Sequence, residues 1–215
     1  ILRSARKGRL RTCVVCPGLL YGQGEDDEGL HRIMRAAWEV SGPLTIYGPG
    51  TNHLPTVHVD DAASYIAAVA SAEAMTALPD SKQYLVVTDG TVPGEPGGVE
   101  QGALVRAVAG KLGSGEVTVL PSEELLFARG GSGQVDRWTL GAKLATTPLP
   151  ATLPRAPPQY TAGIMAHLDA VLQQWRQVRG VTPLRVVLAG PPMAGKSVAG
   201  ARVAAAYRLR HISAK

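Results

Sequence analysis

Eight residues near the C-terminal end, Gly190-Pro191-Pro192-Met193-Ala194-Gly195-Lys196-Ser197, match the spacing G-x-x-x-x-G-K-[ST]. Such a loop works only if its backbone N–H groups turn inward around an anion and a helix starts at its end, with the helix dipole aimed at the same point. The flanking sequence meets both conditions. Leu184-Arg185-Val186-Val187-Leu188-Ala189 reads as a buried parallel strand leading in, and Val198–Tyr207, made of good helix formers, leads out. At this chain's own residue frequencies a chance match is expected in about one chain in a hundred. The candidate phosphate-binding residues are therefore Gly190, Pro191, Pro192, Met193, Ala194, Gly195, Lys196 and Ser197. Lys196 is the candidate catalytic group, a point charge on the terminal phosphates of ATP, and the Ser197 hydroxyl is the candidate Mg²⁺ ligand.

A chain of 215 residues is long enough for one large domain or one and a half, at roughly 150 residues each. Hydrophobic residues make up 45% and charged residues 18%, so a packed core is available and the composition is not that of a disordered chain. With a single Phe, that core is built from Ala, Val and Leu. No apolar run approaches the ~18 residues of a spanning helix, so no membrane partner is expected. Ile1 stands where an initiator Met would, which predicts a fragment. The net charge of +5 is unevenly spread. Arg3, Arg6, Lys7, Arg9 and Arg11 crowd the start, Arg176, Arg179, Arg185, Lys196, Arg202, Arg208, Arg210 and Lys215 the end, and no acid follows Asp169. A basic stripe binds nucleic acid when aromatics or a recognition motif accompany it. Neither is present, and no nucleic-acid partner is expected.

Cys13 and Cys16 form a C-x-x-C. Thr12–Cys16 reads as a buried strand, in which residues three apart point to opposite faces. The two thiols are expected to be buried, structural and unpaired, in a reducing cytoplasmic setting.

Leu30, Ile33, Met34, Ala37 and Trp38 follow helical spacing behind an acidic turn, Glu25–Glu28. Asp60 or Asp61 is placed to cap the next helix, the Ala-rich run to about Met75. Tyr84–Val87 reads as a strand; a Gly/Pro-rich loop, Asp89–Gly98, leads into a helix bearing Leu104, Val105, Val108 and Leu112; and Val117–Leu120 is another strand. This alternation predicts an α/β domain with a largely parallel sheet. Thr146–Pro158 then carries Pro148, Pro150, Pro154, Pro157 and Pro158, an extended connector. Ile164, Leu168, Val171, Leu172, Trp175 and Val178 make one apolar stripe on a following helix, closed by Gly180.

Two resemblances attach to these segments. Gly190-Pro191-Pro192-x-x-Gly195-Lys196, with its helix and His211-Ile212-Ser213, resembles the opening of the adenylate kinase family. Met193 departs from the glycine usual there, which matters if φ is positive at that position, and Ser197-Val198 replaces Gly-Thr. Cys16-Pro17-Gly18-x-x-Tyr21-Gly22 and Val57-His58-Val59-Asp60-Asp61-Ala62-Ala63 resemble the C-terminal half of extended short-chain dehydrogenase/reductases, where they border a nucleotide-sugar pocket. The Arg usual before Pro-Gly is Cys16 here, and Asn52-His53-Leu54 replaces another Arg. The dinucleotide glycines and the catalytic Tyr-x-x-x-Lys of that family would lie upstream of Ile1.

The combination resembles ciliary members of the adenylate kinase family. It implies a protein of the ciliary or flagellar axoneme, near dynein motors, converting ATP and AMP to two ADP, with ATP and Mg²⁺ bound and axonemal proteins as partners. The expected organisation is an epimerase-like half-domain over residues 1–147, a connector and linker helix over 148–183, and the start of a kinase domain over 184–215. The reductase-like lobe is expected to be a non-catalytic adaptor that binds NAD(P) weakly or not at all. Two other readings stand beside this one: an axonemal scaffold of degenerate enzyme folds, and a working NAD(P)-dependent epimerase or oxidoreductase. His58 with Asp60 or Asp61 could be a general base with its partner, but a strand-ending histidine and a capping aspartate are the simpler roles; a His53–His58 metal site lacks a third ligand.

Overall fold

A computed structural model describes residues 12–24, 29–39, 42–71, 73–79, 84–89, 97–124, 138–139, 141–182, 184–207 and 209–213. The basic segment Ile1–Arg11, the acidic turn Glu25–Glu28 and most of the Asp89–Gly98 loop lie outside the described residues. In chain order the elements are β1 (Val14–Pro17), β2 (Leu19–Tyr21), α1 (His31–Glu39), β3 (Leu44–Tyr47), β4 (His53–Leu54), β5 (Thr56–His58), α2 (Val59–Val69), α3 (Ala74–Ala77), β6 (Tyr84–Val87), β7 (Val99–Glu100), α4 (Gln101–Leu112), β8 (Val117–Leu120), α5 (Gly163–Val178) and α6 (Lys196–Tyr207). They fall in two compact units, Ile1–Trp175 and Arg176–Lys215.

The first unit is α/β. β1 pairs in parallel with β6, β2 with β5 and β3 with β8, while the short β4 and β7 pair antiparallel. Each parallel pair is separated in sequence by helices, as parallel strands require a crossover. Val57, Ala62, Tyr65, Leu85 and Val87 form one buried cluster between α2 and the strands. α1 and α4 pack on each other and on β3. All four apolar positions predicted on α4 are buried, as are Leu30, Ile33, Met34 and Ala37 around α1, whereas Trp38 is 38% exposed.

Three expectations for the first unit are corrected. The cap of α2 is His58, whose Nδ1 accepts from the Asp60 N–H at 3.2 Å, so neither Asp60 nor Asp61 caps it. Both aspartates lie inside the first turn, where their charges still favour the helix dipole. The Ala-rich run stops at Val69, short of Met75, and α3 is separate. The thiols are not both buried: Cys13 is half-buried against the Val57–Val87 cluster and Cys16 is exposed. Cys13 precedes β1 and packs with Val15 against that cluster, whereas Cys16 lies within the strand among its exposed positions.

The Pro-rich connector forms no helix or strand but is docked. Thr146 and Thr147 hydroxyls accept from the N–H groups of Thr88 (2.9 Å) and Val86 (3.0 Å), completing donors at the edge of β6. Thr147 N–H donates to the Val86 carbonyl at 2.8 Å, and the Tyr65 hydroxyl donates to the Thr147 carbonyl at 2.8 Å. Leu153 is buried with Ala74 and Leu78, flanked by Leu149. α5 then buries five of the six predicted stripe residues, Ile164, Leu168, Val171, Leu172 and Trp175, while Val178 is 55% exposed. Each such burial contributes about 1.5–3 kcal/mol. Trp175 Nε1 donates to His31 Nδ1 on α1 at 2.8 Å, and Lys111 on α4 pairs with Asp169 at 2.5 Å.

In the second unit Leu184–Ala189 has no regular secondary structure, and its apolar side chains are exposed, Val187 at 90%. The expected buried parallel strand is thus not seen. A strand exists only with a neighbour to complete its ladder, and the described residues of this unit provide none. His211-Ile212-Ser213 is likewise irregular. Among the described residues no helix is long and apolar enough to cross a membrane.

Candidate functional site

The loop residues singled out in the sequence lie together at the start of α6. The helix begins at Lys196, so its first N–H groups have no intrahelical acceptor and open toward the loop. Ala194 N–H donates to the Pro191 carbonyl at 3.3 Å, closing a turn with Pro192 and Met193 at its centre. Met193 has φ 63° and Gly195 φ 75°. The Met193 backbone is therefore left-handed, the geometry for which its departure from glycine matters. Lys196 Nζ donates to the carbonyls of Gly190 (2.7 Å) and Pro191 (2.6 Å), so the ammonium is folded back over the loop. Ser197 is exposed in the first turn of the helix. Behind the loop, Gly200 is buried, and a Cβ there would lie 2.8 Å from His211 Nε2.

The donor set fits a nucleotide polyphosphate: helix N–H groups, one ammonium and one hydroxyl, with no carboxylate among the loop residues. A single serine hydroxyl suits Mg²⁺, which keeps most of its waters and takes further ligands from the phosphates. Among the described residues no cluster of three or more His, Cys, Asp or Glu could hold a metal by itself.

A second constellation lies in the first unit. β2 and β5 bring Tyr21 and His58 together as register partners, with ring centroids 5.2 Å apart. Gly22 takes φ 119°, and a Cβ there would meet His58 Nε2 at 2.8 Å, so the glycine of the Tyr-Gly pair makes room for the imidazole. Gly18 is needed for another close approach, a Cβ there lying 2.6 Å from the Pro55 carbonyl oxygen. Tyr160, just before α5, stacks on His58 at 3.5 Å and 11°, and His167 on α5 meets Tyr160 edge-on at 5.1 Å. The Asp61 carboxylate accepts from the N–H groups of Gln159 and Tyr160, both at 2.9 Å.

Asp89 is buried after β6 and accepts from Thr56 Oγ1 (3.1 Å) and the His58 N–H (3.2 Å). Burial pushes its pKa up, partly offset by the neighbouring Tyr21 hydroxyl and by the bonds from the His58 N–H and Thr56. Burial, then the Asp89 charge, also raises the Tyr21 hydroxyl, which sits beside that carboxylate without a partner in hydrogen-bonding geometry. His58 is driven the other way: burial lowers its pKa, against the opposing pull of Asp60 and Asp61. Its Nε2 is buried with no bond among the described residues, as is that of His167.

His58 is therefore a helix cap at 1% exposure, with Nδ1 committed, and it lacks the access a general base needs. His53 lies on β4 against Glu100 of β7. Among the described residues a cavity of about 340 Å³ opens beside Arg32, Tyr47 and Trp138, and another of about 370 Å³ beside Asp89, Glu100 and the start of α5. Tyr160, and with it His167, escaped the sequence reading because Tyr160 stacks on a His58 about a hundred positions away, with no local spacing to reveal the contact.

Comparison with known proteins agrees with both halves of the reading. A model of the NAD dependent epimerase/dehydratase family matches residues 1–83. The chain is similar from end to end to adenylate kinase 7 of Macaca fascicularis, 29% identical over 220 residues, covering 100% of this chain and 38% of that protein. It is 28% identical over 211 residues to adenylate kinase 7 of Mus musculus, covering 96% of this chain and 32% of that one. The chain thus spans about a third of the length of these curated relatives. Among solved structures, MoeE5 in complex with UDP-glucose and NAD overlaps 77% of this chain and 47% of its own, at 17% identity and a TM-score of 0.46. The expected resemblance to the adenylate kinase family is thereby specified as a similarity to adenylate kinase 7, and the α/β fold with parallel pairing fits the epimerase family model matched over residues 1–83.

Proposed function

We propose that this chain belongs to an adenylate kinase that moves the terminal phosphoryl group of ATP to AMP, giving two ADP, and that its epimerase-like lobe is a non-catalytic adaptor. The observation that carries the reading is the Gly190–Ser197 loop at the N-terminus of α6, in a chain similar throughout to adenylate kinase 7. Phosphoryl transfer asks little covalent chemistry of a protein; positioning and neutralisation of charge supply the rate. In this reading the loop N–H groups and Lys196 hold the phosphates, Ser197 holds Mg²⁺, and Lys196 leaves its two carbonyl partners when nucleotide enters. We also propose that the protein works in the ciliary axoneme, following the resemblance to ciliary adenylate kinases, and that NAD(P) binds weakly or not at all. Calorimetry on the full-length protein giving a micromolar Kd for NAD(P) would overturn the last point.

The test is ADP formation from ATP and AMP by the full-length protein and its Lys196→Ala variant. The variant keeps the loop N–H groups and loses the charge that follows the phosphoryl group into the transition state. ATP binding should weaken moderately while turnover falls by orders of magnitude. Undiminished turnover in the variant refutes the role of Lys196. An inactive wild type favours the scaffold reading, to which the left-handed, non-glycine Met193 lends some support.

A further inference from the structure

Met193 is the only non-glycine residue with positive φ among the described residues. The turn closed by Ala194 N–H on the Pro191 carbonyl has proline first and a positive φ second at its centre. That is the pattern of a type II turn, whose second central position is ordinarily glycine or asparagine. Met193 is fully exposed, so no described packing holds it in place. An L residue reaches this backbone region about five- to thirty-fold less readily than glycine does. Lys196 Nζ bonds the two carbonyls at the entrance to the same turn, so the turn and the ammonium share one geometry.

We propose that Met193 is a positioning residue that sets the nucleotide affinity of this loop, by lowering the fraction of molecules in which the left-handed turn is formed. The inference rests on the phosphate-loop reading above. A ligand that needs the formed turn binds with an apparent Kd raised in proportion to the missing fraction. The backbone of residue 193 makes this difference, and the thioether does not.

Calorimetric titration of the full-length protein with ATP tests it, using wild type, Met193→Gly, Met193→Asn, Met193→Ala and Lys196→Ala. Met193→Gly should bind about five- to thirty-fold more tightly. Met193→Asn should recover part of that gain, since asparagine tolerates the region better than most residues. Met193→Ala keeps the Cβ and should match wild type. In the ADP assay KM for ATP should fall in the glycine variant. Equal affinity of the glycine variant and wild type overturns the inference, as does an alanine variant that tightens as much as glycine. If wild type binds ATP no better than Lys196→Ala, the phosphate-loop reading fails and takes this inference with it. Wild-type binding that depends on Lys196, together with an unchanged glycine variant, sinks the inference alone.

Discussion

Replacing Leu168 with alanine tests whether α5 is part of the first unit or a bridge laid beside it. Leu168 is 2% exposed, in a stripe with Ile164, Val171 and Leu172 at 1–3%. Deleting most of a buried leucine side chain costs about 2–5 kcal/mol, and the spread depends on how far the surroundings collapse into the cavity. Here the helix has little freedom to shift. Asp61 and His58 hold its approach through Gln159 and Tyr160, Lys111 pairs with Asp169 next to the site, and Trp175 is bonded to His31 toward its end. The upper part of the range, about 3–5 kcal/mol, is therefore expected.

Amide hydrogen exchange on the full-length protein reads stability one segment at a time. At about 1.4 kcal/mol per factor of ten, protection in β1 and β6 should fall by about 150- to 5,000-fold. Val178→Ala is the internal control: it lies on the same stripe but is 55% exposed, and should stay within about 0.5 kcal/mol of wild type. If Leu168→Ala leaves the β1 and β6 amides within about threefold of wild type, or if Val178→Ala costs as much, α5 is not packed as described.

Asp61→Ala should free the backbone of Gln159 and Tyr160 and cost about 1–3 kcal/mol, discounted from two charge-assisted bonds because the site is partly exposed; limited proteolysis should then cut near residue 159 in the variant first, and equal cutting in wild type would contradict the clamp. Acid should destabilise the first unit through His58. Its folded pKa is depressed from the ordinary 6.5, so the fold favours the neutral ring; that stability is complete above about pH 6.5 and is lost as the pH falls from there through the folded value. Asp89 works in the opposite sense, its raised pKa favouring the protonated fold nearer the carboxylate range. His58→Asn should flatten the slope just below pH 6.5 in a thermal-melt series, and an unchanged slope would remove His58 as its source.

The sequence carries the α/β alternation, the faces of α1, α4 and α5 and the position of the Gly190–Ser197 loop before α6, because each is written in local spacing. Helical stripes such as Leu104–Leu112 and Ile164–Trp175 need only the 3.6-residue period and something apolar to cover. The misses have a common cause in contacts distant in sequence. His58 displaces two better capping residues because it ends β5 with its ring fixed between Tyr21 and Tyr160. Leu184–Ala189 has the composition of a buried strand, yet pairing is a property of two segments, and composition describes only one. Met193 shows the reverse: the motif foresaw the consequence of a positive φ there, and only coordinates could supply the angle.

The Pro-rich connector shows why composition that argues against a ladder does not argue for a free tether. Proline removes a donor and fixes φ, so Pro148, Pro150, Pro154, Pro157 and Pro158 prevent this stretch from adding a full strand to β6. It leaves every carbonyl and every other side chain available. Thr146 and Thr147, placed before the first proline, use their hydroxyls to satisfy the N–H groups of Thr88 and Val86, a side-chain substitute for the missing ladder. Leu153, between prolines, is buried with Ala74 and Leu78, and Arg155 lies 5.9 Å from the centre of the Tyr65 ring. Reduced backbone freedom in the unfolded chain makes such docking cheaper, since less entropy is lost on ordering. The same prolines that suggest a linker thus help to fix it in place, and the break between the two units falls after Trp175, beyond the last aromatic contact that α5 makes with α1.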